Sequence, residues 1–137
     1  MGRYDDIAAI VGSRELGGQL TPLQESAIVS MRMEYPQIPE DYLDYLRQIG
    51  WGALGDNSYM IYSGLLSADE IYDSDASKTL SQVLFFGDDL QGYCAGFDVS
   101  GGGQIVEVDP TGMSIHEIEK SFESFIRDLI FDHSGAV

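Results

Sequence analysis

The sequence predicts an α+β fold: an antiparallel β-sheet meander flanked by N-terminal helices and closed by one C-terminal helix. Two observations carry this. Apolar residues recur at a spacing of about 3.6 up to Gly52, of about 2 through the middle of the chain, and at helical spacing again after Ser121. Helical patterns at both ends enclose three to five short strands in sequential order, without the βαβ alternation of a parallel sheet. The 137 residues fit one domain spanning 1–137. A hydrophobic content of 44%, with eight Tyr, six Phe and one Trp, suffices for a core in spite of the charge.

The elements follow in order. Tyr4, Ile7, Ala8 and Val11 keep helical spacing until Gly12 and Gly17–Gly18 interrupt it. Thr21-Pro22-Leu23-Gln24 reads as a helix start, with Thr21 as N-cap and Pro22 first in the helix, ending at Pro36. Pro39–Ile49 is the clearest helix: Glu40 and Asp41 suit its first turn, Tyr42, Tyr45, Leu46 and Ile49 share one face, and Gly50 stops it. Tyr59–Tyr62 is a short strand, and Ser67-Ala68-Asp69-Glu70 is a capping box opening one or two helical turns through Tyr72. Val83–Phe86 is a buried strand. Tyr93–Val99 alternates as a half-buried strand, and Gly101–Gly103 turns the chain into the returning strand Gln104–Val108. A last helix starts at Ser114 or at Ser121, with Phe122, Phe125, Ile126, Leu129 and Ile130 on its apolar face.

Charge is distributed unevenly. The formal net charge is −16, and between Arg47 and Lys120 the only basic residue is Lys78. That stretch holds Asp56, Asp69, Glu70, Asp73, Asp75, Asp88, Asp89, Asp98, Glu107, Asp109, Glu117 and Glu119. Such a surface repels nucleic acid and anionic membranes and attracts basic proteins, although acidity for solubility alone gives the same count. The lone Cys94 cannot form an internal disulfide. The first residues lack the apolar run of a signal peptide, Asp6 breaks a myristoylation pattern at Gly2, and no apolar stretch approaches the roughly 20 residues of a membrane span. A cytoplasmic location is expected.

Few residues read as chemical machinery. Asp88 and Asp89 before Gly92 suit a turn better than a metal site, because spaced, converging oxygens are missing. His116 and His133 have no Cys near them and no zinc spacing; His133 suits a helix C-terminus. Gly101–Gly103 lacks the ending of a phosphate loop, and Cys94 has no neighbouring cation to activate it. No catalytic, metal or cofactor site is expected. Trp51, between Gly50 and Gly52, either staples the helix end to the core or stands exposed as an interface anchor, and Tyr59, Tyr62 and Tyr93 carry the same two readings.

Three segments also carry a family resemblance. Ile38-Pro39-Glu40-Asp41-Tyr42 through Leu46 to Gly50-Trp51-Gly52 resembles the first helix of the SUKH superfamily. Phe86-Gly87-Asp88-Asp89 with Gly92 and Phe97-Asp98 resembles its central hairpin, and Ser121-Phe122-Glu123-Ser124-Phe125-Ile126 its closing helix. Together they span about 38–130 in the family's order. Gly50-Trp51-Gly52 replaces the usual Asn-Gly-Gly, Gly101–Gly103 stands where charge is common, and the first 37 residues match nothing in the pattern. The resemblance implies Ser121 as the last helix start, with Met113–Glu119 as an extended lead-in. The superfamily includes yeast cell-wall synthesis regulators and many bacterial immunity proteins that bind and block a toxin domain, often a nuclease. It implies a non-catalytic, immunity-type protein that neutralises a basic toxin domain by stoichiometric binding. Carboxylates from Asp56, Asp69, Asp73, Asp75, Asp88 and Asp89, around Trp51 or Tyr93, form the expected contact set. The alternatives are a regulatory interaction scaffold without a toxin and a metal-dependent enzyme using Asp88, Asp89 and Asp98.

Overall fold

The computed structural model describes residues 4–7, 20–54, 59–71, 80–109 and 114–133, together with Asp75, Lys78 and Thr111. Helices α1 (Glu25–Glu34), α2 (Glu40–Gln48) and α3 (Phe122–His133) cover one face of a sheet. Its strands are β1 (Gly52–Leu54), β2 (Tyr59–Ser67), β3 (Val83–Asp88), β4 (Cys94–Asp98), β5 (Gln104–Val108) and β6 (Ile115–Ile118). Their order in the sheet is their order in the chain, and each runs antiparallel to the next. This is the expected α+β meander. It gains β1, which the sequence left unmarked, and β6, which forms within the extended lead-in expected over Met113–Glu119.

Helix α2 forms as its spacing predicts. Pro39 takes the extended cap position, and Tyr42, Leu43, Tyr45, Leu46 and Ile49 are buried. Helix α1 departs from expectation, because it begins at Glu25 behind Gln24 rather than at Pro22 behind Thr21. Thr21 is taken up in a bridge: its N–H donates to the Trp51 carbonyl (3.0 Å) and its carbonyl accepts the Trp51 N–H (3.1 Å). Two backbone bonds of about 1 kcal/mol each outweigh one side-chain cap. The capping box at Ser67 forms, yet it opens only a 3-10 turn over Ala68–Glu70. Of the short first helix, Tyr4 and Ile7 are buried, while Ala8 and Val11 lie outside the described residues, as does Tyr72.

Two irregularities shape the sheet. A register shift between Ile61 and Leu66 lets β2 run on past Tyr62 to Ser67. In β3, Phe85 pairs with Gly96 and Gly87 with Ala95, so Phe86 is an extra residue turned toward the helices. Strand β4 is not half-exposed as its alternation suggests. Ala95 and Phe97 face the helices, while Cys94 joins Ala68, Leu80, Val83, Phe85, Val106 and Val108 in a second cluster on the other face. Ala68, Ile71 and Leu80 contribute to that cluster, an arrangement no local pattern announces.

At the C-terminal end the stretch after Ser114 pairs with β5 as β6, and the helix starts after Ser121, whose hydroxyl accepts the Ser124 N–H (3.1 Å). The main core is aromatic. Tyr42 from α2, Phe86 and Phe97 from the sheet and Phe122 from α3 have ring centroids between 4.9 and 6.1 Å apart. Asp41 Oδ2 accepts the Glu123 N–H (3.0 Å), so the first turn of α2 caps α3.

Gly50 shows how tightly the bridge is built. Its φ is +111°, and a Cβ there would sit 2.2 Å from the Thr21 carbonyl carbon. Gly102 shares a positive φ of +102° but faces open space. Gly102→Ala should therefore cost only backbone strain, about 1 kcal/mol, whereas Gly50→Ala should cost about 2–4 kcal/mol by adding a backbone clash. Urea unfolding of the two variants measures the difference, and equal losses would mean that the Thr21–Trp51 bridge yields freely.

Candidate protein-binding face

The β3–β4 turn is built by its own acids. Asp88 Oδ1 accepts the Leu90 N–H (2.8 Å), and Asp89 Oδ1 accepts the N–H groups of Gln91 (2.8 Å) and Tyr93 (3.0 Å). The Asp89 N–H donates to the Tyr93 carbonyl (3.0 Å) and closes the loop. Short acidic side chains do this because they reach backbone donors two residues on. Asp88 Oδ2 also accepts the Tyr62 hydroxyl (2.5 Å), whose phenol is held far above its ordinary range by burial and by that bond. Leu90, at the tip, adopts φ 63° and is 48% exposed, an apolar residue standing among carboxylates.

The β4–β5 hairpin adds two more acids to this end of the sheet. Cys94 pairs with Val108 and Ala95 with Glu107, which places Asp109 beside Tyr93. The Tyr93 phenol is raised, first by the charge of Asp109 and also by a hydrogen bond to it. The Glu107 carboxyl is raised by partial burial and then by Asp89, against an opposing influence of His116 from β6. Tyr59 lies over Gly87, where a Cβ would come within 3.0 Å of its ring, and packs edge-on against Phe125. Its buried hydroxyl has no hydrogen-bond partner among the described residues, and burial with the nearby charges of Glu107, Asp88 and Asp89 raises its pKa well above the ordinary value.

The cations lie elsewhere. Arg32 pairs with Glu40, Arg47 with Glu25 and Asp44, Lys120 with Asp128, and Arg127 with Asp6 and Glu123. These pairs knit the helical layer to itself and to the first described residues. Lys78 lines a cleft with Asp69 and Ser67. Among the described residues no ion pair reaches Asp88, Asp89, Glu107 or Asp109. Among the described residues the acidic end keeps an uncompensated negative field, while the helical side is locally neutralised; Arg3 and Arg14 lie outside the described residues.

Compared with known protein families, residues 22–128 match the SMI1/KNR4 family (SUKH-1). The chain belongs to that family. No curated protein and no solved structure matches it significantly. The match takes in α1, which the sequence resemblance left out, together with α2, the whole sheet and the start of α3. Membership in SUKH-1 is consistent with an immunity-type or related protein that works through protein contacts.

The SUKH-1 fold distributes the residues singled out from sequence. Asp88, Asp89 and Tyr93 come together at the β3–β4 turn. Asp69 lies at the opposite end of the sheet, because Ser67 pairs with Leu84 at the start of β3 and Asp88 is its last residue. Trp51 sits at the β1 edge, 36% exposed and bridged to Thr21, and belongs to neither core cluster. Asp75 is exposed, and Asp56 and Asp73 lie outside the described residues. Asp98 pairs with Val83, whereas Asp88 pairs with Cys94, so the three aspartates of the metal reading do not converge. Among the described residues no group of three His, Cys, Asp or Glu side chains is placed to hold a metal ion, and no helix is long and apolar enough to cross a membrane. Glu107 and Asp109 are not marked by any local sequence signal. Folding the hairpin about Gly101 would have placed Asp109 opposite Tyr93.

Glu107 offers a pH test of this end. Its raised pKa means that the folded state holds the proton more tightly than the unfolded chain, so this stabilisation is present at low pH. It is lost as pH climbs from the ordinary value of 4.5 through the higher folded value. Glu107→Gln, which cannot ionise, should therefore raise the denaturation midpoint more at pH 7 than at pH 4. A shift of the same size at both would remove the burial argument.

Proposed function

We propose that this SUKH-1 protein is a non-catalytic, immunity-type binding protein that neutralises a basic toxin domain by stoichiometric docking of its acidic sheet end. The observation that carries this reading is the separation of charge among the described residues: arginines paired across the helical layer, and carboxylates without cations around the β3–β4 turn. A nuclease must be basic where it grips phosphates. A rigid acidic turn seated in that cleft would both attract the toxin and exclude its substrate. Tyr93 supplies an aromatic contact and Leu90 an exposed apolar one, with the carboxylates forming a charged rim around them.

The test uses a basic toxin domain encoded beside this protein, with association and dissociation rates measured at low and high salt. Asp88→Asn/Asp89→Asn keeps the acceptor oxygens that shape the turn and removes two charges. It should slow association about threefold or more at low salt and flatten the salt dependence, with little change in dissociation. Leu90→Gly should do the reverse. It speeds dissociation at a cost of about 1–2 kcal/mol of binding, while relief of the positive φ makes the free protein more stable. An association rate indifferent to salt and to the double neutralisation would leave the acidity as a solubility feature. Capture of a non-toxin host protein with the same rates would favour a regulatory scaffold instead.

A further inference from the structure

A groove of about 310 Å³ opens at the end of the sheet opposite the acidic turn, lined by Glu34, Tyr35, Pro36, Gln37, Leu84 and Val99. Tyr35, Leu84 and Val99 are half-buried: each packs against the main core and also lines the groove. Apolar surface continuous with the main core is thereby left open at this place among the described residues. The walls are fixed in advance. The Ile38 N–H donates to the Tyr35 carbonyl (3.1 Å), closing the α1–α2 turn, and the Val99 N–H donates to the Gln82 carbonyl (3.0 Å). Gly103 backs the turn so closely that a Cβ there would lie 2.7 Å from the Gln37 carbonyl oxygen. A preformed groove loses little freedom when it is filled.

The rim is acidic. Glu34 is part of the lining, and its charge and that of Glu70 add to the effect of burial in raising the Tyr35 phenol. Among the described residues no cation lines the groove. Arg32, on the same helix, is held by Glu40 through bonds of 3.0 and 2.9 Å.

We propose that this groove is a docking site for a single apolar side chain carried on a basic segment of a protein partner. The apolar floor selects the anchor, and Glu34 in the lining selects the charge of the residues beside it. The proposal rests on the reading that the partner is basic, and adds to it a second contact point remote from the β3–β4 turn.

The test is titration of the isotope-labelled protein, followed through its amide resonances, with three short peptides. One carries a leucine between pairs of arginines, one a serine in the same place, and one the leucine between pairs of glutamates. The arginine–leucine peptide should bind about tenfold tighter than the other two, shifting the resonances of Tyr35, Leu84 and Val99. Val99→Phe, which fills the groove, should remove that advantage without altering the arginine–serine peptide. Should the variant fold poorly, the shift map of the unmodified protein locates the bound peptide by itself. Equal binding of the two arginine peptides, with shifts confined to Asp88–Tyr93, would overturn the groove and leave the basic-partner reading standing. Equal binding of the two leucine peptides in the groove would overturn the rim argument, and with it this proposal, while leaving the basic-partner reading to the β3–β4 turn.

Discussion

The structure depends on one contact, the meeting of Phe122 with Tyr42 over the sheet. Their rings are 5.1 Å apart in an edge-on arrangement, and each also touches Phe86 and Phe97. Phe122 can be there only because α3 starts at that residue. The start is set from two sides, by the Ser121 hydroxyl and by the Asp41 carboxylate reaching across from α2. Aromatic packing and capping thus specify the same geometry. Removing either would loosen the other, because the cap positions the ring and the ring positions the helix end.

The same helical layer engages the described arginines. Surface ion pairs contribute little stability individually, about 0–1 kcal/mol each. Their larger effect is on the field. By holding Arg32, Arg47 and Arg127 against carboxylates of the helices and of Asp6, the fold leaves the β3–β4 end of the sheet without a lysine or arginine among the described residues. The acids there do double duty: Asp88 and Asp89 bind their own loop, so the charge is presented on a rigid turn rather than on flexible side chains.

Much of this was legible in the residues. The α2 segment announced itself by spacing and flanking signals, and Gln104–Val108 by the glycine turn before it, because both are governed by local rules. What escaped was set by partners distant in sequence. Thr21 reads as a cap until Trp51 is seen to claim its backbone, and Gly52–Leu54 is too short to show a period of its own. The alternation of β4 was correctly read, but the inference of an exposed face failed because Ala68 and Leu80 return to cover it. At the candidate site, Asp88, Asp89 and Tyr93 were found through composition. Glu107 and Asp109 become neighbours of these only through hairpin register, and Asp69 is carried to the opposite end.

The sequential order of the strands bears on how the chain reaches this state. Every strand pairs with the next one along, so the sheet can zip up through local loop closures, of which only the β2–β3 connection from Ala68 to Gln82 is long. The contact between Asp41 and Glu123 is different, since it spans 82 positions. On a ribosome the sheet and α2 emerge first, and the aromatic face of Tyr42, Phe86 and Phe97 waits uncovered until α3 follows. During that interval the apolar face is adhesive, and repulsion between the acids on the neighbouring loops works against nascent chains meeting one another. The negative field is thus useful to the chain before there is any finished surface for a partner to find.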